Sequence, residues 1–356
     1  IVYIPSIESG GVEKNLFIIL DYLKNFFSNI YLVTSSEIKS VYRIKGIKII
    51  SPKTKFWYDK NRLIKSIVSF FLLMRNFEKT DNILLSFQSN VFAILVAKFK
   101  SWPILVRLNT SPKKYIDNSV KLLFFKFFYK LSDEIIVNSI EFKRNIKKTF
   151  NLNSSVIFNP LKKQKFKKKE FKSLKKYRQL KILNIARLTD QKDHITLLRA
   201  IKLTLEKKKI NLKLYVIGKG KNYKDLQNYI DNNKLKRSVT LCGYKENAHQ
   251  YMSQFDLFIL SSKFEGLPNT LIEAQNSGIP IISSNCPSGP KEILLNGKLG
   301  ILYKTGNYFD LYKKIMLFYK NKKKYKRKAI LAKKYLYRYD YENNLIKYFK
   351  TINKYI

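Results

Sequence analysis

The sequence has little cysteine, histidine or acid. Cys242 and Cys286 are the two cysteines of 356 residues, far apart and at no metal-ligand spacing. That tells against a disulfide framework and for a reducing compartment. Two histidines, His194 and His249, are too few for a His-based metal site or a hydrolase triad. No apolar run reaches the roughly 20 residues of a membrane span. "IVSFFLLM" and "VKLLFFKFFYKL" are too short or interrupted by lysine. No signal-peptide pattern is visible. The chain starts on the strand-like "IVYIP" without Met, which leaves room for native residues before it. Acids number 25 against 70 lysines and arginines, a formal charge of +45. Such a balance suits an anionic partner: a membrane surface, nucleic acid or a phosphorylated substrate. Lys, Asn, Ile, Tyr and Phe are abundant together, as an AT-rich genome would produce, and the two causes stand side by side.

The chain is 45% hydrophobic, enough for real cores, and its length favours two domains. Short apolar runs alternate with amphipathic ones. "IVYIP", "NIYLVTS", "IKIIS", "NILLSF", "PILVRLN", "EIIVNS" and "SVIFN" read as strands, with helical patterns between them at 12–26, 61–77 and 115–131. This alternation predicts a parallel sheet covered by helices on both faces. Lysine-dense residues 161–179 read as a linker. The alternation resumes with "KILNIARL", "LKLYVIGKG", "VTLCGY", "FDLFILSS", "IPIISS" and "GILY". The predicted architecture is α/β, with a Rossmann-like doubly wound domain at 1–160 and a second at 180–335. A helix at 336–356 is open to returning to the first domain. A cleft between strand carboxyl ends is the default ligand site of such a pair.

Three stretches carry candidate chemistry. In "SSKFEGLPNTLIEAQNSGIP" a buried strand runs into a loop and then a helix, with Glu265 before the helix and Glu273 about one turn into it. Pro268 suits the first turn, Gly278 the stop. The N–H groups near Asn269 and Thr270 suit a phosphate. Taken alone, the two acids also fit an early-helix residue and a loop residue with no function. In "ARLTDQKDHITLLRAI" Arg187 closes a strand and Lys192 follows five residues later, a pair that can hold a diphosphate. Two surface cations among seventy fit as well. In "PSIESGGVEKNLFIIL" Gly10 and Gly11 open the first helix and allow a close backbone approach. Neither the dinucleotide fingerprint nor a P-loop occurs, and "GKGKNY" at 218–223 is too generic to interpret alone.

Placed in order, "SGGVEKNLFIIL", "ARLTDQKDHITLLRAI", "YVIGKG", "VTLCGY", "DLFILSSKFEGLPNTLIEAQNSGIPIISSNCPSGPKEIL" and "GILY" resemble the retaining GT-B glycosyltransferases of family 4, the glycosyl transferases group 1 type. The resemblance covers nearly all of the second domain and the first loop. It implies a nucleotide-sugar donor, chiefly UDP-hexose or UDP-N-acetylhexosamine. The acceptor would be a glycan or lipid-linked, in polysaccharide, lipopolysaccharide or glycolipid synthesis. Arg187 and Lys192 would bind the diphosphate, Glu265 the transferred sugar and Glu273 the ribose. Gly266, Leu267, Pro268, Asn269 and Thr270 would line the sugar and phosphate pocket. Gly243 and Tyr244 would meet the nucleobase, and Gly11 the diphosphate. No cofactor and no metal are expected. Many relatives carry a His at the end of a first-domain strand. Here "VRLNTSP" offers Arg107 and Asn109 instead, read as acceptor-side contacts. An epimerase on the same fold would want more acid/base residues. A nucleic-acid-binding protein would leave the ordered motifs unexplained, so nucleic acid is not an expected partner. The basic, aromatic stretches 62–79 and 113–134 suit a membrane interface or a core-facing role. The expected location is the cytoplasm, peripheral on the inner face of the cytoplasmic membrane.

Overall fold

The structure is a computed structural model and describes residues 1–8, 10–38, 43–78, 81–110, 116–162, 179–208 and 210–356. Most of the stretch read as a linker therefore lies outside the described residues. The chain divides into two compact units, one of residues 1–160 with 339–356, the other of residues 161–338.

The first unit opens with β1 (Val2–Tyr3), α1 (Gly11–Leu23), β2 (Ile30–Val33), β3 (Ile47–Ile50) and α2 (Arg62–Asn76). It continues with β4 (Leu84–Ser86), α3 (Asn90–Lys100), β5 (Ile104–Leu108), α4 (Ser119–Lys130), β6 (Glu134–Val137), α5 (Ile140–Phe150) and β7 (Ser155–Val156). Every strand stretch read from the sequence of this half forms a strand. All pair in parallel, in the order β3-β2-β1-β4-β5-β6-β7. The internal strand β5 is buried along its whole length, as a parallel strand covered on both faces must be. Side-chain caps set the helix starts: Asn61 accepts from Ile64 N at 3.0 Å, Asn118 from Lys121 N at 2.9 Å and Ser139 from Phe142 N at 3.1 Å.

The second unit holds β8 (Leu180–Ile185), α6 (His194–Lys208), β9 (Leu212–Ile217), α7 (Tyr223–Asn232), β10 (Val239–Leu241), β11 (Leu257–Leu260) and α8 (Asn269–Ser277). Then come β12 (Ile281–Ser284), α9 (Pro290–Ile293), β13 (Ile301–Tyr303), α10 (Tyr308–Lys320) and α11 (Lys322–Lys333). Its parallel sheet runs β10-β9-β8-β11-β12-β13. One core packs Leu197, Leu198 and Ile201 of α6 with Leu226 of α7 and Leu311, Ile315 and Phe318 of α10 against the strands. Among the described residues no helix is long and apolar enough to cross a membrane.

The last helix, α12 (Tyr341–Ile352), belongs to the first unit. Its Leu345, Tyr348 and Ile352 join Leu16, Ile19 and Leu20 of α1 on one face of the first sheet. On the other face Leu73 of α2, Ala93, Ile94 and Ala97 of α3, Tyr129 of α4 and Phe142 and Ile146 of α5 form a separate core.

Candidate active site

The carboxyl ends of the second unit's strands place most of the residues singled out by sequence. After β8 the chain passes through Ala186, exposed Arg187 and buried Leu188, whose N–H donates to Lys219 O at 3.0 Å. The turn after β9 is Gly218-Lys219-Gly220. A Cβ at Gly218 would stand 1.9 Å from Ala186 O, and one at Gly220 2.3 Å from Leu188 O. Only glycine lets the two turns approach this closely. The generic "GKG" therefore fixes the backbone that presents Arg187.

Lys192 ends a short 3-10 turn over Asp190–Lys192. Three hydrogen bonds lace this turn to the loop after β11: Ser261 Oγ donates to Lys192 O at 2.7 Å, Lys263 N to Gln191 O at 2.8 Å and Gln191 Nε2 to Phe264 O at 3.0 Å. The lacing delivers Lys192 Nζ to 2.5 Å from Glu265 Oε1, with side-chain exposures of 15% and 7%. Ser262 Oγ donates to the same oxygen at 2.6 Å, and Ser284 Oγ donates to Ser262 O at 2.6 Å. Both bonds to the carboxylate fall on Oε1; among the described residues none falls on Oε2. Sequence reasoning paired neither Lys192 with Glu265 nor Ser262 with either. The only signal was that each sits just past a strand end.

Two reactive-looking side chains beside this pair are inert. Burial, then the charge of Glu265, pushes the Cys286 thiol up to about 12, so it stays protonated and non-nucleophilic at neutral pH. His194 opens α6 with its Nε2 3.2 Å from Asn184 Oδ1. Burial, then the positive Lys192, lowers its pKa from 6.5 to about 4. The folded protein keeps this imidazole neutral, whereas the unfolded chain takes up its proton from about pH 6.5 downward. Stability therefore falls between pH 6.5 and 4 and owes this group nothing further below that. The shift corresponds to about 3 kcal/mol. We expect His194→Gln to flatten urea-unfolding stability across this window relative to the parent. Parallel curves would contradict it.

Pro268 stands at the N-cap of α8 and makes no side-chain capping bond of its own. The N–H groups of Asn269 and Thr270 lead it. Gly266 is partly exposed, while Leu267 and Pro268 are buried. Gly289 holds this loop in place: its φ is +94°, and a Cβ there would lie 2.4 Å from Gly266 O and 2.7 Å from Pro268 Cδ. Glu273, one turn along α8, is buried. Gly278, at φ +74°, ends the helix. At the end of β10, Gly243 O accepts from Gly218 N at 2.9 Å. Exposed Tyr244 follows, with Lys219 Nζ 5.3 Å from its ring centroid.

The remaining candidates, Gly11, Arg107 and Asn109, belong to the first unit. Gly11 starts α1, and the side chain of Glu13 closes that entry: it accepts from Gly10 N at 2.9 Å and Glu8 N at 3.2 Å. Arg107, read from sequence as an acceptor-side contact, is 1% exposed. Its Nε donates to Tyr348 Oη at 2.5 Å and its Nη2 to Asn159 Oδ1 at 2.7 Å, while Nη1 donates to Asn109 Oδ1. Asn109 Nδ2 in turn donates to Phe87 O at 2.8 Å. The charge on β5 is thus hydrogen-bonded inside the unit, tying the sheet to α12.

Each unit is Rossmann-like, built on a doubly wound parallel sheet, and the second sets a cation–carboxylate pair at its strand carboxyl ends near the start of α8. Residues 165–335, just under half of the chain, match the family described as Glycosyl transferases group 1. An uncharacterized glycosyltransferase of Methanocaldococcus jannaschii is 33% identical over 263 residues, 67% of this chain and 60% of that protein's own length. The N-acetylgalactosamine-N,N'-diacetylbacillosaminyl-diphospho-undecaprenol 4-alpha-N-acetylgalactosaminyltransferase of Campylobacter jejuni is 24% identical, over 92% of this chain and 94% of its own. Anabaena HepE, solved with UDP-glucose, superposes with a TM-score of 0.79 at 15% identity, covering 99% of this chain and 98% of that one. That likeness establishes the GT-B fold.

Proposed function

We propose that the protein is a retaining glycosyltransferase of family 4. It moves a hexose or N-acetylhexosamine from a UDP-sugar to a glycan or lipid-linked acceptor, in polysaccharide, lipopolysaccharide or glycolipid assembly. It works at the inner face of the cytoplasmic membrane and calls for no metal. The observation that carries this reading is the Lys192–Glu265 contact of 2.5 Å at the strand ends. An ammonium has three N–H donors. With one on Glu265, Lys192 keeps two for a phosphate while the carboxylate fixes where it points. The sugar's hydroxyls then have Oε2 of Glu265 to donate to.

Leaving-group departure puts negative charge on the diphosphate, and stabilising it is the main electrostatic task. Lys192, exposed Arg187 and the N–H groups of Asn269 and Thr270 are the cationic and dipolar groups for it. Glu273 accepts from the ribose, and Tyr244 with Gly243 receives the base. The acceptor attacks the face the diphosphate leaves, and the leaving phosphate takes its proton, so no histidine base is required. The Campylobacter relative's name specifies a diphospho-undecaprenol acceptor, and HepE was crystallised with UDP-glucose; both support the choice of substrates.

The test is a donor screen with UDP-hexoses, UDP-N-acetylhexosamines and GDP-mannose, followed by NMR of the product. We expect consumption of one UDP-sugar and an α-linked product from its α-linked donor. A β-linked product overturns retention, and failure to bind any nucleotide sugar overturns the reading.

A further inference from the structure

Beneath the outer layer of the first unit, α2, α3 and α4 lie side by side over the same core. Among the described residues nothing covers their outward faces. On α2, Leu63, Ile67 and Phe71 are 62%, 40% and 63% exposed at a spacing of four. On α3, Leu95 and Phe99 are 44% and 61% exposed, again four apart. On α4 the case is stronger. Its sequence, SVKLLFFKFFYK, is apolar nearly all round, yet Tyr129 is its one buried residue. Val120, Leu123, Phe124 and Phe127 are 76%, 66%, 47% and 61% exposed. Their 3- and 4-residue spacings put them on one stripe, opposite Tyr129. A helix that is apolar all round is normally covered, and apolar patches spread over three adjacent elements mark an interaction site.

The charges on the same helices choose the occupant. Three cations lie on α2, two on α3 and three on α4, and none of the three carries an acid. Exposed Arg75, Lys126 and Lys130 flank the aromatic stripes. A second copy of this face would bring like charges together around its apolar centre. An anionic bilayer answers both features at once: acyl chains take the leucines and phenylalanines, and headgroup phosphates take the ammonium and guanidinium groups. We propose that the outward face of α2, α3 and α4 is the surface by which this protein lies on an anionic lipid membrane. The inference rests on the reading of the protein as a transferase working at a membrane, and names the surface that brings it there.

The experiment is sedimentation of the full chain with phosphatidylcholine vesicles, with and without about one third phosphatidylglycerol. It uses the parent, Leu123→Ser/Phe127→Ser, and Lys126→Glu/Lys130→Glu. These side chains are exposed, so the variants fold like the parent, which circular dichroism verifies. We expect the parent to pellet with the anionic vesicles. Each double variant should lose about tenfold in partitioning, since removing two large apolar groups or reversing two charges at a lipid surface has at least that effect. No pelleting of the parent overturns the proposal. So does a Leu123→Ser/Phe127→Ser variant that binds like the parent, because adsorption would then be a general property of the +45 chain. A concentration-dependent dimer abolished by the same variant would overturn it in favour of a second copy. UDP-sugar consumption is measured in the same samples without vesicles. Donor turnover without vesicle binding sinks this surface alone, and vesicle binding without turnover of any donor sinks the transferase reading alone.

Discussion

Replacing Lys192 with Ala is expected to lower sugar transfer by about 10²–10³-fold, the range found when one charge-stabilising group is removed from a transition state. The stability of the second unit should fall too, because Glu265 is 7% exposed and would be left buried without its cation. Glu265→Gln separates the two effects. The amide keeps the shape, still accepts from Ser262, and leaves no uncompensated carboxylate. It also holds Lys192 more weakly, since a neutral amide oxygen accepts from the ammonium without the carboxylate's charge. We expect Glu265→Gln to melt within a few degrees of the parent while its kcat falls about 10²-fold. The double variant should be little slower than the worse single one, as groups that act as a unit are not additive. Steady-state kinetics with the preferred UDP-sugar, alongside thermal melting, decide the matter. Kinetics within about threefold of the parent in both single variants would remove this pair from the site.

The second large effect falls on the first unit. Arg107 is a buried guanidinium whose hydrogen-bond partners are Tyr348, Asn159 and Asn109, with the Phe87 ring 5.1 Å from its Cζ. No carboxylate is among them. Its stability rests on those hydrogen bonds, and each costs more to break than to do without. Tyr348→Phe leaves the charge one acceptor short and should cost about 1.5–3 kcal/mol. Arg107→Ala orphans three partners at once and leaves a cavity, and should cost about 3–5 kcal/mol. Both tryptophans, Trp57 and Trp102, lie in this unit. Their fluorescence in a urea titration therefore reports on it selectively. Unchanged midpoints in both variants would show that the tie contributes nothing.

The same residue shows where sequence reading stops. Strands were legible because parallel strands covered on both faces read as continuous apolar runs, as in ILVRL and LFIL. Glu265 and Lys192 were legible as candidates because each follows such a run at a strand's carboxyl end. Their contact was not, being made across 73 positions by a lacing of backbone groups. Arg107 was singled out because it stands where relatives carry a His; its bond to Tyr348 was not legible, since the two lie 241 positions apart. Gly218 and Gly220 looked generic because what they make room for is the backbone of another turn. For α4 the pattern allowed either a core or an interface role; on the folded helix Tyr129 is buried, Leu122, Phe125 and Phe128 pack against the core, and the rest of its apolar residues are exposed.

The first unit is written in two pieces, residues 1–160 and 339–356, with the whole second unit between them. During synthesis this inverts the usual order. The second unit, a continuous stretch, can close as soon as it leaves the ribosome, whereas the half made first must wait with Leu16, Ile19 and Leu20 unroofed until α12 arrives. A premature stop between residue 338 and the end of α12 would thus spare the second unit and strike the one translated long before it.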